Sequence, residues 1–349
     1  MSEPAANQTR EHHIGVLDGV RAISILLVMA GHMLPLGPKK LELNGAAASM
    51  GMSLFFILSG FLITRALFEN NNLFEFLVKR LARIIPLAYL FMGIVFLAFN
   101  HDLNALIHEL NFTLNYDDGA INKFNPHLWS LCVEVQFYAV IGLLFRLLRK
   151  PAPFVVIGLC LLVTTLKILA HAPYSMQTHL RGDELLAGSL LCMSVNGAFG
   201  DHGRFWRALE RFSPALLVLL VLTCHPETGG LEYVRAYAAA LLVGSVMFTR
   251  RVWLSRALTS RPMLYLARIS YALYIIHVGA IAGVAAVMGT GSKIALYLIQ
   301  RPITLVITFG LAHLSTFQYE ARWIALGRRL IAGRRRRGLR AGAITSQSV

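Results

Sequence analysis

The sequence predicts an all-α membrane protein: a polytopic helix bundle of about ten transmembrane helices, with both termini on the cytoplasmic side. Three observations predict it. Hydrophobic residues make up 56% of the 349 and charged residues only 15%, where a soluble domain carries about 25% charged residues. The apolar residues are gathered into long runs, and mean hydropathy over the chain is +0.58. The basic residues, 33 Lys and Arg against 18 Asp and Glu, concentrate in every other connection between those runs.

A span needs about 20 mostly apolar residues. Ten segments are candidates: 14–35, 50–68, 82–100, 127–146, 152–171, 184–200, 213–226, 234–249, 265–289 and 294–317. With the N-terminus inside, the inner connections hold Arg65, Lys79, Arg80 and Arg83, then Arg146, Arg149 and Lys150, then Arg204, Arg207 and Arg211. Arg250, Arg251, Arg256, Arg261 and Arg268 follow, and GRRRRG lies beyond the last span. This alternation orients a membrane protein by itself. It accounts for the basic excess without a nucleic-acid partner, and the terminal arginines suit a topology anchor or anionic-lipid contact. The expected division is a cytoplasmic tail over 1–13, a membrane domain over 14–318, and a basic cytoplasmic tail over 319–349.

The first run follows a polar stretch and carries Asp18 and Arg21, which suits a retained helix better than a cleaved signal peptide. Cys132, Cys160, Cys192 and Cys224 stand far apart inside apolar runs. They read as small apolar side chains, not as a disulfide framework or a zinc site. The longest outer connection, 101–126, is acidic and rich in amides and aromatics. That composition fits sugar contact and fits an ordinary solvated loop equally.

Ionisable residues inside spans are expensive and mark function. The first span holds Asp18, Arg21 and His32. Arg21 and His32 are eleven residues apart, about three turns, so they share a face some ~16 Å apart along the axis. Asp18 and Arg21 have the i, i+3 spacing of a pair. Glu134 enters the fourth span at a depth expected to match His32, where a carboxylate would orient the imidazole. Ser130 and Tyr138 flank it. Tyr271, Tyr274 and His277 line one flank of the ninth span. Lys79, Arg80 and Arg83 cluster at the start of the third, and arginines in such clusters fit phosphate. Lys167, His171, Arg181, Asp183 and Glu184 flank the third outer connection, as a polar vestibule or as solvated charges. No compact His/Cys/Asp/Glu cluster with ligand spacing calls for a metal.

In order along the chain, LDGVRAISILLVMAGH, SMGMSLFFILSGFLIT, FLVKRLARIIPLAYL, LWSLCVEVQFY and ISYALYIIH resemble the acyltransferase 3 family of bacterial membrane O-acyltransferases. The resemblance runs from about residue 14 to 318. It implies transfer of an acyl group, usually acetyl, from cytoplasmic acyl-CoA to a hydroxyl of a surface glycan, glycolipid or macrolide. It also implies a multi-pass protein of the bacterial inner membrane. The family's Arg/His pair falls on Arg21 and His32, its basic motif on Arg80 and Arg83, and its Ser-x-x-x-Glu segment on Ser130 and Glu134. Val135 departs from the pattern, where many members carry a second polar residue. Some members add an extracellular domain, and its absence here implies a self-contained transferase.

The combined expectation is an O-acyltransferase with His32 as general base, Glu134 holding it and Arg21 steadying developing charge. Arg80, Arg83 and Lys79 would take the phosphates of acetyl-CoA. Asp18, Ser130, Tyr138, Tyr274 and His277 would support. The donor is a substrate, and no permanently bound cofactor is expected. The competing reading is a transporter or flippase of a glycan or its lipid-linked precursor, since intramembrane charges also mark ion pathways. Against it, no inverted halves or paired broken helices are evident.

Overall fold

A computed structural model describes residues 3–69, 72–148, 153–200, 203–289 and 292–346. Arg149 and Lys150, counted among the inner charges, lie outside the described residues. The chain is a helix bundle, and among the described residues the one β feature is an isolated bridge between Ala198 and Gly200. The helices are α1 (Glu3–Met33), α2 (Leu43–Glu69), α3 (Leu73–Ala98), α4 (Leu103–Leu110), α5 (Trp129–Leu148), α6 (Pro153–Leu169), α7 (Thr178–Arg181) and α8 (Asp183–Val195). They continue with α9 (Gly203–Leu209), α10 (Ser213–Cys224), α11 (Arg235–Met247), α12 (Val252–Leu258), α13 (Arg261–Met288), α14 (Lys293–Ala295), α15 (Arg301–Leu314) and α16 (Ala321–Ser346).

A helix stands at each of the ten places expected. Among the described residues six stretches are long and apolar enough to cross a membrane: Gly15–Met33, Lys39–Glu69, Leu73–Ala98, Pro126–Leu148, Arg261–Met288 and Leu296–Arg336. The helices at the other four places have 17, 13, 12 and 13 residues. One of these, α11, ends in a break bent by 106° into α12. The last helix does not stop at residue 318. π-helical turns at Leu296–Gln300 and Ser315–Glu320 join α14, α15 and α16 into one rod, because no Pro or Gly interrupts STFQYEARWIAL. Arg335 on that rod grips Glu75 with two nitrogens, and α16 packs along α3.

α2 is the central strut. It is buried nearly all round, from Gly51–Leu54 through Phe56–Phe61 to Ile63 and Thr64, as expected of a helix surrounded by others. Two glycines permit its closest crossing. A Cβ on Gly60 would sit 1.9 Å from the Leu185 carbonyl oxygen, and one on Gly188 2.2 Å from that of Ile57. α2 and α8 therefore touch backbone to backbone, the small-residue packing that membrane helices favour. α1 lies against α2 on one side and α13 on the other. Asn44 donates to the carbonyls of Gly31 at 2.8 Å and Leu34 at 2.6 Å, filling acceptors left open where α1 ends. That contact fixes the position of His32. Leu97, Phe154, Val287, Leu298 and Val306 point outward, an apolar belt suited to lipid.

The 101–126 connection is a folded cap. Asn125 donates to Glu109 at 2.7 Å and to the Ala120 carbonyl at 3.0 Å. Gln136 donates to the Phe112 carbonyl at 2.6 Å, and Asn115 to Thr178 at 2.9 Å. Asn115, Asn125 and Glu109 are buried. Burial pushes the Glu109 carboxyl up, and the Asn125 amide partly offsets this. Within the loop, Asn115 and Asn125 thus serve the protein's internal structure.

Candidate active site: two polar regions on one helix

Below the loop cap a cavity of about 520 Å³ opens among α1, α2, α5 and α13. His32, Ser49, His127, Trp129, Tyr174, Arg181 and Tyr274 line it. His32 is exposed into it, at the last turn of α1. Its Nδ1 lies 3.1 Å from Nε2 of His277, and the two rings stack at 5.1 Å. His277 is wholly buried, and its Nδ1 lies 2.6 Å from the Tyr274 carbonyl oxygen.

These contacts fix the tautomers. A carbonyl oxygen only accepts, so Nδ1 of His277 carries the hydrogen. With both rings neutral, Nε2 of His277 then accepts, and Nδ1 of His32 donates to it. The lone pair of His32 is left on Nε2, the nitrogen away from His277. His127, at the mouth of α5, completes a group of three rings. Its Nε2 lies 3.0 Å from the Ile275 carbonyl oxygen, and its ring centroid lies 5.2 Å from that of His277. Below them the Tyr274 hydroxyl meets Ser130 Oγ at 2.5 Å and donates to the His127 carbonyl at 2.7 Å.

The second region lies farther down α1. Arg21 is within electrostatic reach of Arg83, Glu134, Arg80 and Asp18. Glu134 accepts from the Tyr138 hydroxyl at 2.7 Å. Arg80 donates to the Leu62 carbonyl at 3.0 Å and lies over the Phe76 ring. Lys79, Arg80 and Arg83 line a cleft of about 200 Å³ with Ala66 and Phe76.

The expected Glu134–His32 pair is corrected here. His32 bonds His277, and Glu134 bonds Tyr138 in the field of Arg21. Helical rise is the reason. Ser130 is level with Tyr274, which lies one turn below His277, and Glu134 lies one turn below Ser130. Together these steps put Glu134 roughly 10 Å from the histidines. The structure does bring together Asp18, Arg21, Arg80, Arg83, Glu134 and Tyr138 in one region, and His32, Ser130, Tyr274 and His277 in the other. His127 was missed. It precedes α5 and belongs to no periodic pattern, and Pro126 beside it was the only local signal.

Of the charges expected as a vestibule or as solvated, Arg181 lines the His32 cavity, and all but the exposed His171 are buried. Lys167, Arg181, Asp183 and Glu184 are at most 3% exposed, as is Arg235. Lys167 pairs with Asp183. Arg235 Nε donates to Glu184 Oε1 at 3.0 Å, and Ser53 donates to the same oxygen at 2.7 Å. Arg181 stands 3.3 Å from Glu184 Oε2.

Comparison with known sequences decides the family. A family described as an acyltransferase domain matches residues 14–325. The chain belongs to the acyltransferase 3 family. The chain is 27% identical to the Bacillus subtilis protein named "Putative peptidoglycan O-acetyltransferase YrhL", across 88% of this chain and 55% of that one. It is 24% identical to the peptidoglycan O-acetyltransferase OatA of Listeria monocytogenes, across 76% and 49%. The chain thus spans about half the length of these curated relatives. No solved structure matches it.

Proposed function

We propose that this acyltransferase 3 member is a multi-pass protein of the bacterial cytoplasmic membrane. It crosses ten times with both ends inside, and it moves an acetyl group from acetyl-CoA to a hydroxyl of peptidoglycan or another surface glycan. The alternating basic connections support the topology. The names of the relatives support the group transferred and the class of acceptor.

In this reading the Lys79, Arg80 and Arg83 cleft takes the phosphates of the donor. Guanidinium forks suit phosphate oxygens, and Arg80 and Arg83 are half-buried, so they lose less to water than the exposed Lys79. The acyl thioester reaches up along α1 past Arg21 into the cavity. There Nε2 of His32 removes the hydroxyl proton as the acceptor oxygen attacks the thioester carbonyl. The C–O bond forms, the C–S bond breaks, and the leaving thiolate takes the proton back from His32. His277 holds the imidazole in the useful tautomer and accepts the hydrogen bond that steadies the imidazolium. Arg21 answers the negative charge of the arriving donor.

The single observation carrying this is the chain Tyr274 carbonyl, His277, His32, which leaves one imidazole lone pair facing a cavity large enough for a sugar. The test uses purified protein in proteoliposomes, radiolabelled acetyl-CoA and peptidoglycan-derived glycan chains. Wild type is expected to label the glycan and His32→Ala is not. Full transfer by His32→Ala would sink the mechanism, and no label with wild type would remove the acceptor class.

A further inference from the structure

We infer that Arg181 is a recognition residue for a negatively charged group on the acceptor, so that the cavity selects acidic over neutral glycans. This rests on the proposed acceptor cavity and goes beyond it by naming the chemical class of substrate.

The argument starts from burial and charge. Arg181 closes the short helix α7 just before Gly182 turns the chain into α8. It is 3% exposed and lines the same cavity as His32. Five buried side chains cluster here, three cations (Lys167, Arg181, Arg235) and two carboxylates (Asp183, Glu184). Asp183 is engaged by Lys167. One oxygen of Glu184 takes both Arg235 and Ser53. Arg235 is further satisfied by Ser49 at 3.1 Å and the Pro173 carbonyl at 3.1 Å. Arg181 has the remaining share: a charge contact with Glu184 Oε2 that lacks hydrogen-bond geometry, while its own Nε has no hydrogen-bond partner. Within these five the positive charge exceeds the negative by one, and the under-satisfied cation is the one on the cavity wall.

Two carboxylate oxygens, Asp183 Oδ1 and Glu184 Oε2, also lack hydrogen-bond partners, but neither residue lines the cavity. Glu232, in the field of nearby Tyr174, accepts from the Gly230 amide at 2.9 Å. A buried guanidinium whose charge is incompletely balanced is destabilising, and an anion entering the cavity would offset that charge. Arg181 is also held in place. Its guanidinium lies over the rings of Phe56 at 6.0 Å and Trp129 at 5.6 Å. Such stacking keeps the planar fork pre-set for a carboxylate. Trp129, Tyr174 and Tyr274 supply flat apolar faces beside it, the mix of apolar wall and few polar groups found in small-molecule sites. An acidic sugar brings Arg181 a counter-charge as well as an acceptor oxygen, whereas the hydroxyls of a neutral sugar bring the weaker, uncharged acceptor alone.

The test measures binding without donor, so that it does not depend on turnover. The probes are tetragalacturonate and the same tetrasaccharide with its carboxyls reduced to alcohols, titrated into full-length protein in nanodiscs. Wild type is expected to bind the acidic form about tenfold or more tightly, the worth of one charge-assisted hydrogen bond. Arg181→Gln is expected to bring the ratio to about one, and Arg181→Lys to keep part of it. The Lys variant retains the charge and guards against a folding failure of the Gln variant. Equal or absent binding of the two probes to wild type overturns the proposal, as does an undiminished ratio in folded Arg181→Gln. Arg181→Gln lowering maximal acetyl transfer without touching the binding ratio would also overturn it, since Arg181 would then serve the transition state. Failure of the acyltransfer reading shows separately, as His32→Ala that still transfers.

Discussion

The two polar regions on α1 are built on different principles. At the His32 end, orientation comes from the backbone. The carbonyls of Tyr274 and Ile275 hold two imidazoles, and the first of these holds His32. At the Arg21 end, orientation comes from charge. Arg21, Arg80 and Arg83 share a space with Glu134 and Asp18, and Arg80 adds one bond to a helix carbonyl. In the proposed reaction the proton would need a closely aimed lone pair, which rigid carbonyls would provide. In the same reaction a long phosphate-bearing donor would need attraction and some give, which arginines on flexible stems would provide.

The sharpest way to break the comparison is at the proton. His32→Ala should lower acetyl transfer about a thousandfold while leaving acetyl-CoA affinity unchanged; transfer and affinity measured on one proteoliposome preparation decide it. An equal loss of both would mean the two regions act as one. Next in size is the support. His277→Ala should cost roughly a hundredfold in kcat, and His277→Gln, whose amide oxygen can still accept from His32, should recover part of it. A loss in both variants alike would make His277 a packing residue.

The basic region should answer in a different parameter. Arg80→Ala with Arg83→Ala should raise the KM for acetyl-CoA about thirtyfold and change kcat little, since phosphate contacts are made equally before and during reaction. The effect should weaken as salt rises. The smallest effect sharpens the comparison from inside the histidine region. Tyr274→Phe removes a hydroxyl bonded to Ser130 and the His127 carbonyl, but keeps the carbonyl that holds His277. It should cost about 1 kcal/mol of stability in thermal unfolding and only a few-fold in rate.

The asymmetry also explains what could be read from the sequence. Charge could: Arg21, Glu134, Arg80 and Arg83 stand out in apolar runs, and the structure gathers all four. Helix positions could too, because hydropathy is a sum over many residues. The pairing of His32 could not, since it depends on relative depth of α1, α5 and α13, and a shift of one turn changes every partner. The role of the Tyr274 and Ile275 carbonyls was out of reach because any residue has a carbonyl. His127 lacked both periodicity and a charged neighbour. Arg181 and Glu184 were visible as charges, but their burial follows from the glycine crossing of α2 and α8, which no local pattern announces.

The central claim is that His32 presents Nε2 as a free lone pair because His277 receives its other nitrogen. Solid-state nitrogen NMR of ¹⁵N-histidine-labelled protein in lipid, assigned by loss of signal in His32→Ala, measures this directly. The account predicts a neutral His32 ring with its hydrogen on Nδ1 and Nε2 bare near neutral pH, and loss of that preference in His277→Ala. A neutral ring with its hydrogen on Nε2 in the wild-type protein would contradict it.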